Sequence, residues 1–289
     1  MGQTIVFCGL SFSGRKALIS AILEVSASIP QSLEIMWRGD YLYLIQNLVI
    51  KDFKIRYRNM SLGVLWSLLN PLVMMGVLTF IFTRVWPQPA IPHFPLFVLC
   101  GMVPYNFFTV AWLTGTTSIV DNAPLIKRVP LPREVVTITA VLSCCIHLAV
   151  QIVLLLSIAI LSGKGFNVQW FWLPAMWTLE IIFVCGLAMM SSAVNVFVRD
   201  MRYVVESANL VLFWLVPVFY SSDRIDKRYV PILDVNPVAA LVISLRKILL
   251  NAEPPAAATL LKLTAVSLTF FVAGLIVFRR MKPRFYEHI

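Results

Sequence analysis

Three stretches without Asp, Glu, Lys or Arg constrain the fold most: 25 residues from Asn59 to Thr83, 36 from Val85 to Val120 and 29 from Val135 to Gly163. A helix needs roughly 20 residues to cross about 30 Å of hydrocarbon, so each stretch is long enough to span a bilayer. The stretches are apolar on every side, whereas a barrel strand alternates apolar and polar positions over about 10 residues. The fold class is therefore all-α integral membrane. With 59% hydrophobic and only 13% charged residues, a soluble enzyme, a DNA-binding module and a disordered tail are excluded.

Six spans are predicted, at about 61–83, 95–120, 135–163, 168–198, 204–220 and 259–278. The fifth is short, because only the 16 residues from Ser207 to Ser222 separate Glu206 from Asp223. An even number of spans puts both termini on one side. From Met36 onward that side carries fourteen Lys and Arg against eight on the other, five of those eight in one long loop. The positive-inside rule makes the richer side cytoplasmic, and it also accounts for the net charge of +10 without nucleic acid. The chain is expected to cross its membrane several times with both termini cytoplasmic.

Residues 1–35 read as an N-terminal extension preceding a start at Met36. Residues 36–60 read as a cytoplasmic interfacial helix. In it Asp40, Asn47, Lys51, Lys54 and Arg58 share one face and Tyr41, Leu44, Ile45, Leu48 and Ile55 the other. Residues 61–289 form the six-span domain. Between spans five and six lies an external segment, 221–258, whose apolar run Val238 to Leu250 is too short and too charged at Arg246 and Lys247 to cross. With Pro231 and Pro237 breaking it, it reads as two short re-entrant helices, allowed where protein or water satisfies the backbone.

The internal loop 121–134 carries the most information. Asp121 or Asn122 caps, Pro124 suits a first helical turn, and Pro130 and Pro132 stop the helix after scarcely two turns. The expected product is a short helix presenting Leu125 and Ile126, exposed, beside Lys127 and Arg128: a docking surface.

Other motifs weigh less. Gly9 to Lys16 approaches a phosphate loop but has Arg15-Lys16-Ala17 where such a loop has Lys then Ser or Thr, so no nucleotide site is expected in this chain. The five cysteines, four of them inside apolar runs, imply neither disulfides nor a metal site. Cys144 and His147 share a helix face but make only two ligands. His147 and Glu180 are ionisable groups inside spans and define one rival reading, a proton-coupled carrier. Asp223 and Asp226 define another, a membrane transferase acting on polyprenyl-phosphate sugars. Trp86, Tyr105, Trp112, Trp170, Trp172, Trp177 and Tyr220 gather toward the external span ends, as interface belts or as a conduit lining.

From Met36 to Ile289 a series of motifs resembles one family. They are Arg56-Tyr57-Arg58, then Ser61-Leu62-Gly63 with Trp66 and Pro71; Leu125-Ile126-Lys127-Arg128-Val129 with Pro132-Arg133-Glu134; Asn195 with Arg199-Asp200 and Arg202-Tyr203; Asn236-Pro237; and Phe278-Arg279-Arg280 with Phe285. In this order on six spans they resemble the membrane subunits of type-2 ATP-binding-cassette polysaccharide exporters, which carry O-antigen, capsule or teichoic acid. The resemblance implies a homodimer around a channel, two copies of a separate ATPase subunit holding ATP and Mg, and a lipid-linked polysaccharide as cargo. It implies no covalent chemistry or cofactor in this chain. It further implies that the interfacial helix and residues 121–134 meet the ATPase and that Tyr220, Asn236 and Pro237 belong to an external gate. Arg56 and Arg58, at the turn into the first span, are expected at headgroup height, where guanidinium forks receive a lipid pyrophosphate.

Overall fold

The computed structural model describes residues 41–58, 63–85, 91–129, 131–221, 228, 233 and 236–287. Within these it is helical throughout. Helix α1 covers Tyr41–Tyr57, α2 Trp66–Phe80 with a π turn Ile81–Val85, α3 Phe94–Asp121, α4 Ala123–Arg128 and α5 Arg133–Leu161. After a 3-10 turn, Val168–Trp172, come α6 Leu173–Phe197, α7 Met201–Leu215 and α8 Pro237–Arg246, the last extended by a π turn, Lys247–Asn251. Helix α9, Ala257–Met281, ends in a 3-10 turn, Lys282–Glu287. The expected extension, 1–35, and the motif residues Ser61 and Leu62 lie outside the described residues.

Among the described residues five helical segments are long and apolar enough to cross a membrane: Trp66–Val85, Phe94–Asp121, Arg133–Leu161, Val168–Phe197 and Ala257–Phe285. The segment expected at 204–220 is instead the 15-residue α7, which rises only about 22 Å before Val216 turns the backbone extended. Its path is fixed by α3, since Tyr105 Oη donates to the carbonyl of Asn209.

α3 and α6 are the buried centre, and α5 and α9 pack around them. In hydrocarbon there is no hydrophobic drive between helices, so close approach through small residues holds the bundle. The tightest crossing is α6 on α9: a Cβ on Gly186 would lie 2.5 Å from the Phe270 carbonyl, and one on Gly274 would lie 2.3 Å from the Gly186 oxygen.

α1 departs from its expected faces. Tyr41 and Ile55 are exposed, while Leu48 is buried and Lys51, Asp52 and Arg56 turn partly inward along α5. Polar partners explain this: Lys51 Nζ donates to Asn122 Oδ1 at 2.5 Å, and Arg56 reaches α3 and α5. Of the two expected external helices, the described residues contain α8. It is packed against α3, α6 and α9.

Candidate functional site

The last turn of α1, the start of α2, and the facing sides of α3 and α5 enclose a cavity of about 270 Å³. Arg56 forms one wall. Its Nη2 donates to Thr114 Oγ1 at 3.1 Å, and its Nη1 lies 3.1 Å from His147 Nε2 and 3.6 Å from Cys144 Sγ. A guanidinium only donates, so His147 Nε2 accepts, the imidazole is neutral, and its proton sits on Nδ1. Tyr57 Oη lies 2.6 Å from Nδ1 and 2.9 Å from Nε2 of the same ring. Burial raises the Tyr57 phenol above its ordinary pKa, partly opposed by the neighbouring Arg56 charge, so Tyr57 keeps its proton at neutral pH.

On the far side Gln151 Nε2 donates to the Ser67 carbonyl at 3.0 Å, tying α5 to α2. Asn106 Nδ2 is buried in the cavity region with no acceptor. No carboxylate among the described residues pairs with Arg56. The cavity thus holds a full positive charge met only by neutral groups, and an unused amide donor.

The partners of Arg56 lie about 10 Å along α3 from Asp121, for Thr114, and about 21 Å along α5 from Arg133, for His147. Arg58, expected to act with it, is exposed and does not line the cavity. Trp66 lines it, Pro71 is buried one turn further along α2, and Gly63 adopts φ +49°, a left-handed conformation that suits glycine.

The 121–134 loop forms the expected short helix, but the expected exposure of Leu125 and Ile126 is corrected. Ile126 is buried with Ile119, Val136, Phe278 and Phe285, and Leu125 is half-buried, leaving Pro124, Lys127, Arg128 and Val129 outward. A two-turn helix needs an anchor, and Ile126 supplies it. Pro132 N-caps α5. Arg133 and Glu134 turn to their own C terminus: Arg133 Nη1 donates to the Lys282 carbonyl at 2.8 Å, Arg133 lies 5.7 Å over the Phe285 ring, and Lys282 Nζ pairs with Glu134 at 3.4 Å.

At the opposite end of the bundle Asn236 Oδ1 accepts from the Val238 and Ala239 amides at 3.0 and 3.4 Å, and Pro237 takes the first helical position of α8. The Asn-Pro pair is thus a helix start. Tyr220 Oη donates to the Trp214 and Leu215 carbonyls. Sequence reasoning missed Arg246, read only as a charge too many for a span. It is 8% exposed, its guanidinium lies 3.5 Å over the Phe97 ring, and it donates to the carbonyls of Val218 (2.5 Å), Phe97 (3.3 Å) and Tyr220 (3.3 Å). An arginine inside an apolar run was the available signal.

His147 and Glu180 do not share a site. Glu180 faces a separate small cavity between α6, α8 and α9, with Val238 and Ser267 in its lining. Both its oxygens lack hydrogen-bond partners among the described residues, and the His147 ring is occupied by Arg56 and Tyr57. The proton-relay pairing therefore has no geometric support. Asp223 and Asp226 lie outside the described residues, and those residues include no cluster of three or more potential metal ligands.

The profile of the family described as ABC-2 type transporter matches residues 43–250. An O-antigen export system permease protein, RfbA, from Klebsiella pneumoniae is 30% identical over 262 residues, covering 90% of this chain and 99% of the relative. RfbA from Myxococcus xanthus is 30% identical over 253 residues, 86% of this chain and 96% of its own. The polysialic acid transport protein KpsM of Escherichia coli is 26% identical over 241 residues, 81% and 92%. The match takes in the Arg56 cavity, the α4 loop and the α8 segment together, and the chain accordingly belongs to the ABC-2 type transporter family, as one of its membrane permeases.

Proposed function

We propose that this chain is the permease of an exporter that moves a polyprenyl-pyrophosphate-linked polysaccharide of the O-antigen type outward across the bacterial inner membrane. The observation that carries this reading is similarity, over four-fifths or more of the chain, to permeases named for O-antigen and polysialic acid export. In the proposed assembly two copies of the chain enclose the channel, and two copies of a separate ATPase hold ATP and Mg. The outward Pro124, Lys127 and Arg128 of α4, with Leu125 half-buried among them, would meet that ATPase. Closure of the ATPase pair would move α4 as a lever, shifting a closed channel toward an open one because ATP binds one state better.

In this topology both termini are cytoplasmic and the fifth of six crossings is α7 continued by the extended residues from Val216. Each extended residue adds about 3.3 Å, which supports a crossing despite the short helix. α1 is the interfacial helix, its inner end dipping beside α5. α8 is a re-entrant external helix whose Asn236-Pro237 start, with Tyr220, belongs to the outer gate. Arg56 stands at the cytoplasmic entrance for the lipid pyrophosphate, and Arg58, exposed and outside the cavity, is an anchoring charge beside it.

The test is reconstitution. The purified chain alone should neither bind nor hydrolyse ATP, and it should co-purify with an ATPase subunit that restores polysaccharide export in cells lacking the native exporter. Saturable ATP binding by the lone chain, or export driven by a proton gradient with no ATPase, would sink this division of labour.

A further inference from the structure

We infer that the cavity beneath Tyr57 is a binding site for the phosphate head of a lipid, with Arg56 as its anchor, Asn106 as a second donor and His147 as the neutral partner that holds Arg56 until an anion arrives. The inference deepens the proposed function and rests on it only for the identity of the lipid. It divides the arginine pair, taking Arg56 into the site and leaving Arg58 as a surface charge.

Three observations converge. Arg56 is a guanidinium inside a helix bundle with no carboxylate partner among the described residues, held by one hydroxyl, one imidazole and one thiol. A half-buried cation with no counter-charge among the described residues attracts an anion. Its Nε has no hydrogen-bond partner among the described residues, so a donor remains for a grip on phosphate oxygens. Asn106 Nδ2 is a buried donor with nothing to donate to, and such orphans are uncommon in folded proteins. That nitrogen is closed even to water, so a phosphate oxygen would satisfy it once the Asn106 side chain, which lines the cavity, turns inward.

The cavity's volume, about 270 Å³, lies near the lower end of the range for small-ligand sites, which suits a head group rather than a saccharide chain. The walls add neutral polar groups, Gln151 and Asn70, and the indole of Trp66. They supply hydrogen bonds without an opposing negative charge. His147 accepts from Arg56 only as a neutral ring. An arriving phosphate competes for the same Nη1 proton and can take its place.

The phosphate could belong to the transported lipid or to a membrane phospholipid, and the experiment separates the two. The full-length chain would be purified in a phosphate-free maltoside detergent and titrated with polyprenyl pyrophosphate, polyprenyl alcohol and phosphatidylglycerol, with occupancy read by native mass spectrometry. Arg56→Lys keeps the charge and loses the fork. Asn106→Leu removes the carboxamide whose nitrogen has no partner among the described residues, and Asn106→Asp keeps its size and oxygen while removing the donor.

Expected is pyrophosphate-lipid binding weakened about tenfold by each variant, the scale of one charge-assisted hydrogen bond, with Arg58→Lys within twofold of wild type and alcohol binding unaffected. The same pattern with phosphatidylglycerol assigns the site to phospholipid heads. Affinities unchanged by both Arg56→Lys and Asn106→Leu overturn the site. Export that persists when binding is lost overturns it as a transport site while leaving the permease reading intact, and binding without any export does the reverse.

Discussion

The guanidinium of Arg246 at the end of α8 donates to the carbonyl oxygen of Val218, 2.5 Å away, in the extended segment that follows α7. With Phe97 beneath it and the Phe97 and Tyr220 carbonyls on its other nitrogens, one side chain joins three parts of the chain. The first turn of α3, the tail of α7 and α8 all meet at it. The Val218 and Tyr220 carbonyls, in the segment after α7, have no intrahelical partner and such groups cost free energy when buried unpaired, and Arg246 supplies their donors.

Arg246→Met should therefore lower stability more than its lost packing implies. Two or three buried carbonyls would lose a charged donor at about 1–3 kcal/mol each, and a marked fall in the thermal midpoint in detergent should follow. Arg246→Lys, with one compact head, should recover only part of it. A midpoint unchanged in Arg246→Met would remove the clamp from this account.

Gly274→Leu should prevent assembly of α9 on α6. Its Cβ alone would stand 2.3 Å from the Gly186 oxygen, and neither backbone can retreat without opening the crossing. Fluorescence-detected size exclusion of the tagged variant should give an aggregate peak. A monodisperse Gly274→Leu would mean that the helices cross elsewhere.

Leu125 and Ile126 should separate on mutation. Ile126→Asp places a carboxylate among Phe278, Phe285 and Val136 and should cost several kcal/mol, lowering yield and thermal stability. Leu125→Asp should leave the fold intact and reduce recovery of the ATPase partner by about tenfold or more, the scale of an interface anchor. Equal recovery with Leu125→Asp and wild type would move docking off α4.

Phe285→Ala should act on the same helix from beneath. Phe285 is fully buried against Phe278 and under Arg133, so truncation leaves a cavity costing about 3–5 kcal/mol and loosens the Lys282 contacts with Arg133 and Glu134. Limited proteolysis should cut the 121–134 loop faster in the variant than in wild type. Identical cutting rates would show that α4 does not depend on this support.

The sequence by itself determined the helices. Charge-free runs longer than a bilayer is thick leave no other backbone that satisfies its own hydrogen bonds in hydrocarbon, and local chemistry marked several ends: Pro132 before α5, Asn236-Pro237 before α8, and Pro124 in the first turn of α4. The tertiary structure decided which way each helix faces. Hydrophobic periodicity reveals a face only when one side is polar, and helices apolar all round carry no such signal. Arg56 was therefore legible as a basic residue at a span's edge but not as a cation inside a cavity, because Thr114 and His147, which turn it inward, arrive from helices far along the chain. Ile126 looked exposed because Phe278 and Phe285 cover it from the opposite terminus. Arg246 looked like an obstacle to burial until the carbonyls of Phe97, Val218 and Tyr220 came together around it, a juxtaposition that exists only once three separate segments have packed.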